Sequence, residues 1–271
     1  MKIEAKVLDI LRLATPTEET LELPDNIERS LYVKVAKTVE AMGGEWDKSK
    51  GTHYFNYYDP AEALENAIST GEVTSERTKF QYFATPEAVL EMLYIHVADK
   101  IDIGTRVLEP SAGSGAIAGL IRGCYGNLID LDVCEFNARL RGKLDRQGFN
   151  VVAEDFLSYY PDKPYDVIIA NPPFSKGQDI EHVTHMIECL KDGGVLVSVM
   201  SNSVMFVNDK KTKEFRELVK KHGGEFEEVS AGAFKDSGTN VASCIIWLCK
   251  DASQDEKILP KLIQSTVMNL N

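Results

Sequence analysis

A chain of 271 residues, 44% hydrophobic and 27% charged, has the composition of a globular protein, far from disordered, collagen-like or coiled-coil chains. At roughly 150 residues per domain it makes one large domain, or one ordinary domain with a smaller companion. Thirty basic residues against 42 acidic ones leave a net charge of −12, so no global positive field draws the chain to nucleic acid; any such binding must use a local basic patch.

The amino terminus, Met-Lys-Ile-Glu-Ala-Lys, lacks the apolar core of a secretory signal. No apolar run approaches the roughly 18 residues that span a bilayer, and a cytoplasmic location is expected. Residues 27–42 carry Ile27, Leu31, Val35, Val39 and Met42 at helical spacing, stopped by Gly43-Gly44. Glu45-Trp46 and His53-Tyr54-Phe55-Asn56-Tyr57-Tyr58, on either side of a charged turn, read as a β-hairpin whose aromatic residues form the core of a small domain or a recognition surface. Residues 60–69 are again helical in pattern. The predicted organisation is a small α+β domain over 1–75, a larger domain over 76–250 and a tail over 251–271 that ends in a short amphipathic stretch.

From residue 76, β-like runs alternate with helical patterns, as in βαβ units on a parallel sheet. Strands are expected at 106–108, 130–134, 151–152, 167–170 and 195–200, with a closing hairpin of 225–229 and 242–248. The expected fold is α/β, a Rossmann-like, mostly parallel sheet of seven strands with an antiparallel edge hairpin. Cys124, Cys134, Cys189, Cys244 and Cys249 form no C-x-x-C pair and read as reduced packing residues.

Two motifs carry chemistry. In the first, Val107-Leu108-Glu109-Pro110-Ser111-Ala112-Gly113-Ser114-Gly115-Ala116, a strand enters a glycine turn and then a helix, which lets backbone approach a ligand at the mouth of the sheet. Gly113, Gly115 and Ala118 also satisfy the loose dinucleotide fingerprint, but Glu109 stands before the glycines, where a hydride-transferring domain needs no acid. S-adenosylmethionine brings an ammonium group to that place. Glu135 closes the next strand, suited to ribose hydroxyls. Asp155 closes the one after, suited to an adenine amino group, with Phe156 packing on the ring. In the second motif, Tyr165 to Ala170 deliver Asn171-Pro172-Pro173-Phe174 to the same edge. The Asn171 side-chain oxygen and the Pro172 carbonyl can each accept one hydrogen of a planar amine, orienting its lone pair towards an electrophile. The two prolines hold those acceptors still, and Phe174 stacks on the flat group that bears the amine.

These motifs resemble those of class I S-adenosylmethionine-dependent amino-methyltransferases, most closely the gamma-type DNA adenine methyltransferases of phages and mobile elements. The resemblance covers residues 80–250 and includes Phe80-Gln81-Tyr82-Phe83-Ala84-Thr85-Pro86-Glu87, the helix Phe215–Gly223, and Gly232-Ala233-Phe234-Lys235 leading into Val241–Trp247. It implies S-adenosyl-L-methionine as cofactor, held by Thr85, Glu109, Pro110, Ser111, Ala112, Gly113, Gly115, Glu135, Phe136, Asp155 and Phe156. It implies DNA as partner, with a flipped adenine held by Asn171, Pro172, Pro173 and Phe174 and stacked on its other face by Phe234, with Phe206 second in line. Methyl transfer to the 6-amino group needs no metal.

Gamma-type enzymes carry a large recognition domain, whereas 21 residues follow position 250 here. Sequence reading is therefore expected from residues 1–75, from the loop 202–213 with its phosphate-gripping Lys210, Lys211 and Lys213, from a protein partner, or hardly at all. Arg139, Arg141, Lys143 and Arg146 form a second basic cluster on a helix. His182 and His185, three apart, are read as structural or substrate-side. Asn-Pro-Pro-aromatic also serves methylation of the guanine 2-amino group in ribosomal RNA or of a protein glutamine amide, and Phe174-Ser-Lys-Gly177 resembles the guanine enzymes. A non-catalytic nucleic-acid-binding module of a defence or counter-defence complex is the alternative of another class.

Overall fold

A computed structural model of the chain describes residues 2–55, 59–73, 85–230, 234 and 242–251. The tail 252–271 and the segments around Phe80 and Gly232 lie outside the described residues. The chain divides into two compact units, Met1–Tyr82 and Phe83–Asn271.

The first unit holds helices α1 (Ala5–Leu11), α2 (Arg29–Ala41) and α3 (Pro60–Thr70), with strands β1 (Thr15–Pro16), β2 (Thr20–Glu22), β3 (Glu45–Asp47) and β4 (Thr52–Tyr54). Its sheet is antiparallel throughout, in the order β1-β2-β4-β3. α3 shows why these elements start and stop where they do. The Asp59 carboxylate accepts from the Ala61 and Glu62 N–H groups, Pro60 occupies the first turn where no N–H is needed, and Gly71 ends the helix at φ 67°. The expected hairpin forms over Glu45–Asp47 and Thr52–Tyr54, with Trp46 opposite His53 on one face, and Asn56, Tyr57 and Tyr58 lie outside the described residues. Phe55 and His53 are buried, whereas Trp46 is 45% exposed and stands edge-on to Tyr32 and His53.

The second unit is a seven-stranded sheet in the order β10-β11-β9-β8-β5-β6-β7. Its strands are β5 (Arg106–Glu109), β6 (Asp130–Cys134), β7 (Asn150–Ala153), β8 (Tyr165–Ala170), β9 (Leu190–Ser201), β10 (Glu225–Glu228) and β11 (Ser243–Cys249). Strands β5 to β9 pair in parallel; β11 is antiparallel to β9 and to β10. Helices α4 (Glu87–Ile95), α5 (Ala116–Tyr125), α6 (Ala138–Arg146), α7 (Gln178–Cys189) and α8 (Lys210–Lys221) accompany the sheet. Strand alternation sorts the core. Val107, Val167, Ile169, Val197 and Val199 join one buried cluster; Leu108, Ile168, Ala170, Leu196 and Met200 join the other. Each fully buried Val, Leu, Ile or Met among them contributes about 1.5–3 kcal/mol.

β9 is twice the length that the sequence predicts. Ahead of the expected start at 195, the Gly193 N–H donates to the Lys250 carbonyl and the Lys250 N–H to the Gly194 carbonyl, which extends the pairing past the end of β11. Among the described residues no helix is long and apolar enough to cross a membrane.

Candidate active site

Chain order reverses between β5 and β8, the place where open α/β sheets bind ligands beyond the carboxyl ends of their strands. Leu108 pairs with Ile168, so Glu109, at the end of β5, and Asn171, just past β8, emerge at one edge on adjacent strands. Both motifs therefore converge.

The glycine turn is fastened to β6. The Ala112 N–H donates to the Cys134 carbonyl at 2.9 Å, and the Gly113 N–H donates to the Glu135 carboxylate at 2.7 Å. The other Glu135 oxygen accepts from the Asn137 N–H at 2.7 Å. Gly113 has φ 56° and Gly115 φ 86°, both left-handed. At Gly115 the reason for glycine is packing as well as backbone. A Cβ there would lie 2.9 Å from Leu144 Cδ2, so this glycine also fits the turn against α6.

Glu109 is 1% exposed, and one of its oxygens accepts from the Ala118 N–H at 2.7 Å. Burial lifts its pKa well above the carboxylate range against that hydrogen bond, and the charge of Glu135 adds to the rise. Burial also raises Glu135, against the N–H groups of Asn137 and Gly113. Two buried carboxyl groups whose ionised forms burial disfavours, beside a helix-opening glycine turn, fit a cofactor that carries positive charge, because a cation stabilises those ionised forms. S-adenosylmethionine carries two cationic groups, an ammonium and a sulfonium, and Glu109 and Glu135 are the residues that would hold it.

The remaining expected cofactor residues are not equivalent. Pro110 is buried and Ser111 half-buried in the turn. Phe136 is exposed by 61%. Asp155 accepts from the Leu157 N–H and the Ser158 hydroxyl, capping a short 3-10 turn. Phe156 corrects the expectation of ring-on-ring packing with the cofactor. It is 2% exposed, and its ring sits 4.8 Å from the His185 ring and 5.8 Å from that of His182 in the core beneath α7.

Ala170 faces one core cluster, so alternation turns Asn171 to the opposite face of the sheet, the α4 side. There Asn171 Nδ2 donates to Thr85 Oγ1 at 3.1 Å. That bond fixes the amide, and Oδ1 accepts nothing among the described residues. Pro172 is buried, Pro173 and Phe174 are half-buried, and Phe174 packs against the cluster that holds Val199 and Phe234. Phe234 is 4% exposed, which corrects its expected place on the open face of a substrate base: its ring is covered by the core.

Asp179 was not legible as a functional residue, although an acid two positions beyond Gly177 on a helix start is a visible signal. It is 1% exposed. One oxygen accepts from the Ile180 N–H and the other from the Ser201 N–H, each at 3.0 Å, which binds the segment after Asn-Pro-Pro-Phe to the end of β9. Lys211 fastens the same segment from α8, donating to the Gly177 carbonyl at 3.1 Å and to Glu181 at 2.7 Å. Lys210 and Lys211 thus lie on the first turn of a helix instead of a loop, because Asp209 caps it by accepting from the Thr212 N–H and hydroxyl. Lys211 holds protein together; Lys210 is 80% exposed, 3.9 Å from Glu214. Arg141 likewise donates to the Glu135 and Phe136 carbonyls and pairs with Glu154.

His182 and His185 lie on the buried face of α7. His182 Nδ1 meets the Gln178 carbonyl, while both nitrogens of His185 face acceptors, Glu188 at 3.0 Å and the Tyr159 carbonyl at 2.8 Å. Among the described residues no group of three or more His, Cys, Asp or Glu has the arrangement of a metal site.

Residues 91–224 match the family model described as Methyltransferase small domain. The chain is 25% identical over 197 residues to the type II methyltransferase M.CvrRI of Paramecium bursaria Chlorella virus XZ-6E, covering 65% of this chain and 50% of that one. In structure it is similar to the methyltransferase subunit of a type I restriction-modification system from Streptococcus thermophilus, with a TM-score of 0.54 and 18% identity over 71% of this chain and 49% of that one. A Listeria monocytogenes protein described as a class I S-adenosylmethionine-dependent methyltransferase matches with a TM-score of 0.52 and 14% identity over 91% and 79% of the two chains. The chain spans about half the length of the curated relative it matches.

Proposed function

We propose that this chain is a class I S-adenosylmethionine-dependent methyltransferase, and that it methylates the 6-amino group of adenine in DNA. The observation that carries this reading is the Asn171 side chain, whose Nδ2 is held by Thr85 so that its oxygen is left as an acceptor. An amide oxygen presented this way suits a planar amino group, which offers hydrogens and an electron pair that conjugation keeps in the ring. By accepting one hydrogen, with the Pro172 carbonyl accepting the other, Asn171 favours the pyramidal amine whose lone pair can attack. The cofactor supplies an electrophilic methyl group. Asn171 is no strong base, so the proton of the methylated amine leaves to water after transfer. Phe174, half-buried beside it, gives the base a face to stack on.

DNA is favoured as substrate by two relatives, a type II methyltransferase and a type I restriction-modification subunit. A base inside a duplex must be extruded before its amine reaches such a motif.

The test is nucleoside mass spectrometry of DNA and RNA from cells without adenine methylation of their own, expressing either the wild type or Asn171→Ala. The reading expects 6-methyladenine in DNA with the wild type alone. Methylated RNA with bare DNA moves the assignment to RNA; bare nucleic acid of both kinds overturns it.

A further inference from the structure

We infer that Arg141 is a positioning residue for the cofactor, fixing the corner after β6 so that the Glu135 carboxylate stands ready for the ribose hydroxyls. The inference rests on the S-adenosylmethionine reading above and deepens it, because it gives a role to a residue outside both motifs.

β6 ends at Cys134 and α6 starts at Ala138, so the backbone of Glu135 and Phe136 belongs to neither element. The Glu135 N–H reaches the Ala153 carbonyl at 3.3 Å. The carbonyls turn to Arg141 instead. Its Nη1 donates to the Glu135 carbonyl at 3.0 Å and to the Phe136 carbonyl at 2.5 Å, while Nη2 donates to Glu154, just past β7, at 2.9 Å. A long side chain in the first turn of a helix leans back over the N-terminus, which brings the guanidinium to these acceptors. One planar group thus ties the ends of two strands to the helix that follows.

The placement runs against an electrostatic preference. Partial positive charge gathers at a helix N-terminus, where cations are disfavoured, yet Arg141 brings a largely buried cation there. Local negative charge offsets this: two carbonyls, the Glu154 carboxylate and Glu135, whose pKa burial raises and the Arg141 charge pulls back. Glu135 has use for that support. Its two oxygens each accept one N–H, from Gly113 and from Asn137, both at 2.7 Å. An ionised carboxylate has about four lone-pair sites, so acceptor capacity remains for hydroxyl donors as long as the group keeps its charge and orientation. Arg141 favours the charge directly and fixes the orientation through the backbone that bears the carboxylate. The acid is therefore set before the cofactor arrives, and little ordering is left to cost affinity.

Calorimetric titration of S-adenosylhomocysteine and of its analogue without ribose hydroxyls, into wild type, Arg141→Met, Arg141→Lys and Glu154→Gln, tests this. Arg141→Met should bind S-adenosylhomocysteine about 10-fold more weakly, the low end of what loss of an orienting partner costs at a ligand site. The analogue offers Glu135 nothing to hold, so its affinity should fall by no more than about twofold, the limit for uncoupled changes. Arg141→Lys keeps the charge but has no planar fork for the three acceptors, and should fall between. Glu154→Gln should match wild type, because the carbonyl contacts remain and an exposed ion pair contributes little. A merely structural Arg141 would weaken both ligands equally. That result, or unchanged S-adenosylhomocysteine affinity in Arg141→Met, overturns the inference and leaves the methyltransferase reading standing. If Arg141→Met does not fold, Arg141→Lys decides by the same comparison of ligands. A wild type that binds neither ligand overturns both.

Discussion

Thr85 and Asn171 stand 86 positions apart in the chain and meet across one hydrogen bond of 3.1 Å, with the asparagine amide donating to the threonine hydroxyl. A hydroxyl that accepts one bond can still donate another, so Thr85 can orient Asn171 and bind a cofactor carboxylate at once. Asn171→Ala should lower the single-turnover rate by about 10²- to 10³-fold with cofactor affinity intact, the size of loss seen when one preorganised polar group is removed. Thr85→Val should lower the rate by no more than about tenfold, since one hydrogen bond is worth about 0.5–1.5 kcal/mol, and should weaken cofactor binding as well. Rapid-quench rates beside calorimetric cofactor titrations separate the two.

Asp179 joins α7 to β9 through its two buried hydrogen bonds. Asp179→Asn keeps the size but turns an amide N–H towards a backbone N–H, and a buried donor left unpaired costs about 1–3 kcal/mol. Thermal unfolding should show a fall of about 2–4 °C for each kcal/mol. Methyl transfer should slow with it, as the segment after Asn-Pro-Pro-Phe loosens. An unchanged melting temperature would remove the positioning role.

Glu109 gives the apo protein a pH signature. Its folded pKa is raised above the usual 4.5 by burial first and by Glu135 also, so the folded state holds a proton that the unfolded state has released. Stability should therefore decline as pH rises from 4.5 through the folded value. Urea unfolding across pH without cofactor should show this slope, reduced in Glu109→Gln. Cofactor binding runs the other way, since a cation favours the ionised form: affinity should grow with pH and protons should be released. Calorimetry in buffers of different ionisation heat counts them.

His185 carries a dependence of the same sign in a higher pH range. Burial opposes its charge, but the hydrogen bonds to Cys189, Glu188 and the Tyr159 carbonyl outweigh it and raise its pKa to about 10. With acceptors at both ring nitrogens the imidazolium is the form that satisfies them. Its contribution to stability should be complete below about 6.5, the unfolded value, and should be lost as pH rises through about 10. In His185→Gln that decline should vanish. Nitrogen chemical shifts of the His185 ring would report the protonation state directly.

Much of the second unit could be read from the chain because its signals are local. A run such as Val167-Ile168-Ile169-Ala170, short, β-branched, apolar on both faces and closed by Asn171-Pro172, reads as a buried strand, and Glu109-Pro110-Ser111-Ala112-Gly113 ends one with a turn. The same locality failed where a partner overrides it. The strand expected from 195 begins at 190, where Lys250 and β8 reach its start, and Lys210 and Lys211 look like a loop until Asp209 caps a helix there.

By itself, then, the sequence determined which residue types reach the edge of the sheet, since strand ends, glycines and prolines act on their own neighbours. Only the tertiary structure decided which of them can meet a ligand. Phe206 and Phe234 are the same residue to any local rule, yet one is 63% exposed and the other 4%. Burial is a sum over contacts from distant parts of the chain, and so is the hydrogen bond that leaves the Asn171 oxygen free to accept.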